Sequence, residues 1–270
     1  MGNMYMTGNT HFDPVRLWTC WRTATDKHIR LIHRKGVSYM KYAPAVFTVG
    51  REYQIMTFSD GPSLMWVEVA GQKYYDESNG ILRANAPVHR AHVPMEALDA
   101  AGEYTVYLRK VVESRPYFPV VGPEQAYTYS FRPVKSGENI RAYHIADAHN
   151  RVKGPLAAAK AFGDIDFLIL NGDVPDHSGS PDRWESLYEI AGEIGKGNIP
   201  IVFARGNHDM RGFCAENFAD NTPTDRGNVY YTFRLGDIWG MVLDCGEDKP
   251  DDHPEYGGTT CCHAFRKRET

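Results

Sequence analysis

The chain has 270 residues, 42% of them hydrophobic and 24% charged, with a formal net charge of −4. These values fit an ordinary globular protein large enough for two cores and exclude a disordered or fibrous chain. The negative balance speaks against a nucleic-acid polymer or an anionic membrane as partner, and no apolar run is long enough to span a membrane as a helix.

The chain starts Met1-Gly2-Asn3-Met4-Tyr5-Met6, without a basic region leading into an apolar one. Met6 stands where a myristoylation signal has Ser or Thr, so the sequence reads as cytoplasmic. The cysteines are Cys20, Cys214, Cys245, Cys261 and Cys262. Their number is odd and no C-x2-C pair occurs, so reduced thiols are expected rather than a zinc site.

From about residue 14 to 132 the pattern is that of strands. Tyr53, Ile55 and Thr57 alternate with Gln54, Met56 and Phe58, and Leu64, Trp66 and Glu68 alternate with Met65, Val67 and Val69. Tyr104, Val106 and Leu108 oppose Thr105, Tyr107 and Arg109, and Tyr127, Tyr129 and Phe131 oppose Ala126, Thr128 and Ser130. A period of two in β-branched and aromatic residues marks half-buried strands. Turn signals separate them at Ser59-Asp60-Gly61-Pro62, Gly71-Gln72, Ser78-Asn79-Gly80 and Ala101-Gly102. The expectation for residues 10–132 is an all-β sandwich of fibronectin or immunoglobulin type, with no helix of useful length.

The polar segment Arg132 to Glu138 marks a boundary, and residues 138–270 change to α/β texture. Ile140 to Ala146 reads as a strand, Leu156 to Phe162 as a helix, and Phe167 to Leu170 as a strand buried on both faces. Pro181 to Ile194 is predicted helical, with Ser180 as N-cap and Pro181 in the first helical position. Ile199 to Ala204 is a further strand, Val229 to Phe233 and Ile238 to Leu243 a hairpin, and Ala264 to Thr270 a helix.

Three short motifs follow these strands, at the place where open α/β sheets carry their chemistry. Asp147 and His149 are two residues apart, and an extended backbone would turn both to one side. Carboxylate and imidazole together suit zinc, iron or manganese. Gly172-Asp173 follows the second strand, where the glycine permits a sharp exit and Asp173 has two oxygens with which to bridge ions. Gly206-Asn207-His208-Asp209 follows the third. Asn207 offers an amide oxygen, His208 can give a proton to a leaving oxygen, and Asp209 is placed to orient the imidazole.

The set Asp147-x-His149, Gly172-Asp173-x-x-Asp176 and Gly206-Asn207-His208-Asp209 resembles the calcineurin-like metallophosphoesterase superfamily over roughly Ile140 to Leu243. The resemblance implies a metallophosphoesterase αββα sandwich, incomplete here. It implies two divalent ions (manganese, iron or zinc), the first on Asp147 and His149, both bridged by Asp173, the second on Asn207. By the same resemblance His208 is the general acid supported by Asp209, Asp176 stands behind the ligands, and a metal-bound hydroxide hydrolyses a phosphomono- or diester. The substrate would be a small phosphate ester or a phosphoprotein. A β-sandwich ahead of such a domain is similar to purple acid phosphatases, but those enzymes carry a tyrosinate where this chain has Asp176, and typically a Gly where it has His149.

The family's remaining histidines, including a Gly-His-x-His motif, do not follow. His253 lies in a polar loop and His263 opens a new helix, so neither is expected as a ligand. The second ion is then under-coordinated, and the chain reads as the first part of a longer domain that binds metal weakly and turns over little. A non-catalytic binding module is the alternative. Arg205 and His177 are candidate substrate contacts, Arg211 fits a phosphate partner or the surface equally, and His144 is expected to pack within its strand.

Overall fold

The structure is a computed structural model that describes residues 38–137, 139–244, 246, 249–250, 252–257 and 261–269. The start of the expected first domain (10–37) and Cys20, Glu138, Cys245 and Thr270 lie outside the described residues.

In chain order the first half forms β1 (Ala45–Val49), β2 (Glu52–Phe58), β3 (Ser63–Val69), β4 (Gln72–Tyr75), β5 (Glu77–Ser78), β6 (Ile81–Leu82) and β7 (Val88–Pro94). The helix α1 (Met95–Ala101) and the long strands β8 (Glu103–Glu113) and β9 (Val120–Ser130) follow. The second half forms β10 (Ala142–Ile145), α2 (Lys153–Phe162), β11 (Phe167–Asn171), α3 (Glu185–Gly195), β12 (Pro200–Ala204), α4 (Phe218–Asn221), the hairpin β13 (Tyr231–Leu235) and β14 (Ile238–Val242), and α5 (Cys261–Glu269).

The strands expected from alternation are present, and the α/β succession after residue 138 is as read. Two local expectations fail. Residues 95–101 form a helix, because Met, Glu, Ala and Leu favour one. Gly102, at φ 64°, caps that helix and does not turn a hairpin. Pro181 to Trp184 is a 3-10 turn that only then becomes α3, and Ser180 makes no side-chain capping bond.

A six-stranded sheet in the order β10-β11-β12-β1-β2-β7 organises the molecule, and a four-stranded sheet β4-β3-β8-β9 packs against it. β1 runs parallel to β12, pairing Val46 with Pro200 and Phe47 with Ile201, and antiparallel to β2. Hydrogen bonding therefore crosses the polar segment at 132–138, and the antiparallel strands of the first half extend the parallel strands of the second.

Alternation along each central strand sorts side chains between two cores. Val46, Tyr53, Ile55, Ala91, Val93, Phe167 and Val202 face the four-stranded sheet, where they meet Met65, Val67, Val69, Tyr104, Val106 and Leu108. Ala45, Phe47, Met56, Leu168, Leu170, Ile201 and Phe203 face the other way, onto Leu187, Tyr188, Ile190 and Ala191 of α3. Fully buried side chains of this size each contribute about 1.5–3 kcal/mol, so both faces hold the sheet rigidly beneath the loops at its edge. His144 departs from expectation: it is exposed, on the outer strand of the sheet. No described helix is long and apolar enough to cross a membrane.

Cys214 is disulfide-bonded, whereas Cys261 and Cys262 stand outside any disulfide. The expectation of reduced cysteines throughout is corrected at Cys214, and the cysteines no longer argue for a reducing compartment.

Candidate metal centre and active site

β10, β11 and β12 are parallel neighbours, so their carboxyl ends share one edge of the sheet, and the three motifs emerge there side by side. Cross-links between backbones fix the emerging loops. The N–H of Asp147 donates to the Gly172 carbonyl (3.2 Å), that of His149 to Asp173 (2.9 Å), and that of Asn150 to Val174 (2.9 Å).

Asp147 and His149 do not leave the strand extended. Their φ angles are 56° and 46°, and Asn150 (60°) and Asp173 (52°) share the left-handed region. Non-glycine residues held there are strained by about 1–3 kcal/mol each and persist only where the surroundings fix them. The two side chains nevertheless converge, with Asp147 Oδ1 3.9 Å from His149 Nε2. At Gly172 (φ 76°) an added Cβ would fall 2.6 Å from the Gly206 nitrogen and 2.8 Å from its Cα. Only a glycine lets the β11 and β12 exits approach so closely.

The donor atoms of Asp147, His149 and Asp173 all lie within 4.8 Å of one another, as do those of His149, Asp176 and His208. His149 belongs to both groups and presents a different ring nitrogen to each. Nε2 faces Asp147, while the buried Nδ1 lies 3.3 Å from Asp176 Oδ1 without a hydrogen bond. The His208 ring stands edge-on to His149, centroids 4.5 Å apart. His208 Nδ1 is 2.6 Å from the Asp176 carbonyl oxygen; a carbonyl only accepts, so Nδ1 carries a proton and Nε2 faces the site. The donor set, two oxygens and a nitrogen with exposed Asp147 at the mouth, suits a manganese, iron or zinc ion.

Asp173 is nearly buried, and its Oδ1 accepts from the His208 N–H at 2.8 Å. With the Asn207 amide oriented to satisfy both ends, its nitrogen donates to Asp173 Oδ2 (3.0 Å) and its oxygen accepts from Arg211 Nη1 (3.2 Å) and Nη2 (2.9 Å). Asp209 corrects the sequence reading: its carboxylate does not touch the His208 imidazole. It is fully buried, and Oδ2 accepts from the backbone N–H groups of Asp173 (2.8 Å) and Gly206 (2.6 Å), clamping two motifs together. Its other oxygen has no partner. Burial pushes its carboxyl up to about 7, against the pull of those two N–H donors.

Arg205, a candidate substrate contact, is committed elsewhere. It makes a bidentate pair with Asp244 (3.0 and 2.6 Å) and stacks on Phe218. His177 Nδ1 accepts from the Gly179 N–H at 2.9 Å, which shapes its own loop. His253 Nδ1 accepts from the Glu255 N–H at 3.3 Å, and among the described residues neither it nor His263 joins a convergent donor group. Beside the third motif a cleft of about 490 Å³ is lined by Arg205, Met210, Val229, Phe265 and Arg268, among others.

Residues 140–267 match the family model described as calcineurin-like phosphoesterase. The match takes in all three motifs and a little under half of the chain. That family description names hydrolysis of phosphoesters. Among solved structures the chain is similar to a purple acid phosphatase, PPD1, from seeds of yellow lupin (Lupinus luteus), at 15% identity and a TM-score of 0.49. The match covers 81% of this chain and 48% of the lupin enzyme, so the chain spans about half the length of that protein. No curated protein sequence matches the chain.

Proposed function

We propose that this chain carries a metal-dependent phosphoesterase site for phosphomono- or diesters, with a small phosphate ester or a phosphoprotein as substrate. The observation that carries the reading is the convergence of Asp147, His149 and Asp173 at the carboxyl ends of adjacent parallel strands, with His208 against His149. Asp147, His149 and Asp173 would hold one divalent ion. Such an ion lowers the pKa of a coordinated water and polarises a phosphoryl oxygen.

The remaining work falls to the chain's own groups. Asp173 fixes the His208 backbone by accepting its N–H. With a proton on each ring nitrogen, His208, tethered at Nδ1 by the Asp176 carbonyl, delivers the Nε2 proton to the leaving oxygen. Asp209 touches no reacting atom in this scheme; it holds the Gly172–Asp173 and Gly206–His208 turns in register. Arg205 supports the same loop through Asp244 rather than binding substrate.

Calorimetric titration with manganese, paired with hydrolysis of an aryl phosphate and a bis-aryl phosphate, tests the reading. Metal binding and metal-dependent turnover are expected in the native chain. Both should be lost in Asp173→Ala, with turnover falling by about 10²–10³-fold or more. Turnover that survives Asp173→Ala or chelation rules the assignment out.

A further inference from the structure

In the mechanism proposed for this site the His208 proton goes to the leaving oxygen, so the alcohol part of a bound ester lies on the His208 side of the ion. The turn that carries His208 continues to Met210, and there the cleft of about 490 Å³ begins. Small-molecule sites are mostly apolar clefts of ~300–1,000 Å³, a range that includes this one.

Three segments build its walls. Met210 ends the third-motif turn, which its own N–H closes on the Asn207 carbonyl (3.3 Å). A second wall comes from the tight turn at Asp225 to Asn228. Each of those two residues donates its N–H to the other's carbonyl (2.9 Å for both), and Arg226 and Gly227 take positive φ (52° and 89°). That turn sets Gly227 and the buried Val229 against the cleft. The helix α5 supplies the third wall with Ala264, the half-buried Phe265 and Arg268. The Tyr230 hydroxyl, next to Val229, donates to Glu269 in the last turn of α5, so the second and third walls are tied together.

The lining chemistry selects the occupant. No carboxylate is among the described lining residues, which suits a ligand that arrives as a phosphate anion. The two guanidinium groups on the walls each have a carboxylate already. Asp244 holds Arg205 (3.0 and 2.6 Å), and Glu269 Oε1 accepts from Arg268 Nε at 3.2 Å. Beyond these the cleft presents a thioether, an aromatic ring and aliphatic groups, from Met210, Phe265, Val229 and Ala264. Thioether sulfur and ring edges receive an aromatic group well. A sugar or polyol needs convergent hydrogen-bond donors and acceptors, which these four side chains lack.

We propose that this cleft is the leaving-group subsite: the substrate is a small phosphate ester whose alcohol carries an apolar, ring-bearing body, seated among Met210, Val229 and Phe265. The inference rests on the metal-dependent phosphoesterase reading above and adds a substrate class to it.

The test is titration of the manganese-loaded protein with benzylphosphonate and with ethylphosphonate, in which a CH2 group stands for the ester oxygen and no bond is cleaved. Benzylphosphonate should bind about ten- to hundredfold more tightly, the effect of removing roughly 100 Å² of apolar ring surface from water. Phe265→Ala should cut that ratio several-fold. Ala264→Trp, at an exposed helix position, fills the cleft and should bring the ratio close to one; it supplies a second reading if the Phe265 variant is poorly folded. Equal affinities in the native chain, a ratio indifferent to both substitutions, or manganese binding without binding of either phosphonate overturns the proposal and leaves the ion's ligands standing. A native chain that binds no manganese overturns the metal-site reading along with it.

Discussion

Two clusters in this molecule use the same side-chain types and behave as opposites. Between β3 and β7, His89 is completely buried, with Nδ1 2.7 Å from Asp76 Oδ2 and Nε2 2.8 Å from Ser63 Oγ. Ser63 in turn meets Ser59 (2.9 Å), which reaches the Pro87 carbonyl (2.9 Å). The order Ser-His-Asp imitates a nucleophilic triad. Yet none of these residues has a positive φ, and all four are buried. At the sheet edge Asp147, His149 and Asp173 are strained, Asp209 Oδ1 and His149 Nδ1 are without hydrogen bonds, and Asp147 is exposed. The first cluster is closed and structural; the second is open at the place where a ligand can complete it. Residue type is common to both, so exposure, strain and incomplete bonding mark the site.

The comparison can be broken most severely at Gly172. An alanine there meets the Gly206 backbone and a φ of 76°, so Gly172→Ala should destabilise the fold by roughly 2–5 kcal/mol and abolish tight manganese binding, read by chemical denaturation and titration. His89→Ala should cost about 3 kcal/mol by stranding Asp76 and Ser63, with manganese affinity unchanged once the protein is folded. A loss of metal affinity in that variant would show the two clusters to be coupled.

A pH series separates them further. Asp209, pushed up to about 7 by burial, retains in the folded chain a proton that the unfolded chain releases near pH 4. The native state therefore binds more protons between about pH 4 and 7, so metal-free stability should fall as pH rises through that interval, by on the order of 2–4 kcal/mol, and be flat with respect to this group above it. Asp209→Asn can keep the two accepted N–H bonds and should remove that slope. The smallest effect belongs to the rim of the closed cluster: Ser59→Ala should cost about 1 kcal/mol in denaturant midpoint and leave phosphate binding alone.

Much of this arrangement was legible. The apolar runs before Asp147, Asp173 and Asn207 gave β10, β11 and β12, and motif spacing brought carboxylate, imidazole and amide to one sheet edge. Local pattern could not place β1. Val46 beside Pro200 is a pairing chosen by both cores at once, and nothing near Val46 announces it. Nor could spacing foresee that Asp147 and His149 turn left-handed, because that strain is imposed by the Gly172–Val174 backbone. Asp209 was read as an imidazole partner since it adjoins His208, but it turns inward to the N–H groups of another loop. Arg211 is ambiguous in sequence, and in the structure its guanidinium meets the Asn207 amide oxygen.

The seating of β1 has a consequence for synthesis. Its parallel partner β12 lies about 150 residues downstream, so at roughly 5–20 residues per second the ribosome delivers β12 some 8–30 s after β1 has emerged. For that interval Val46, Phe47 and their neighbours can pair with β2 on one side only. The nascent chain thus carries an open, largely apolar strand edge through most of its translation, a stretch on which a chaperone at the exit tunnel would act before the three motif loops exist.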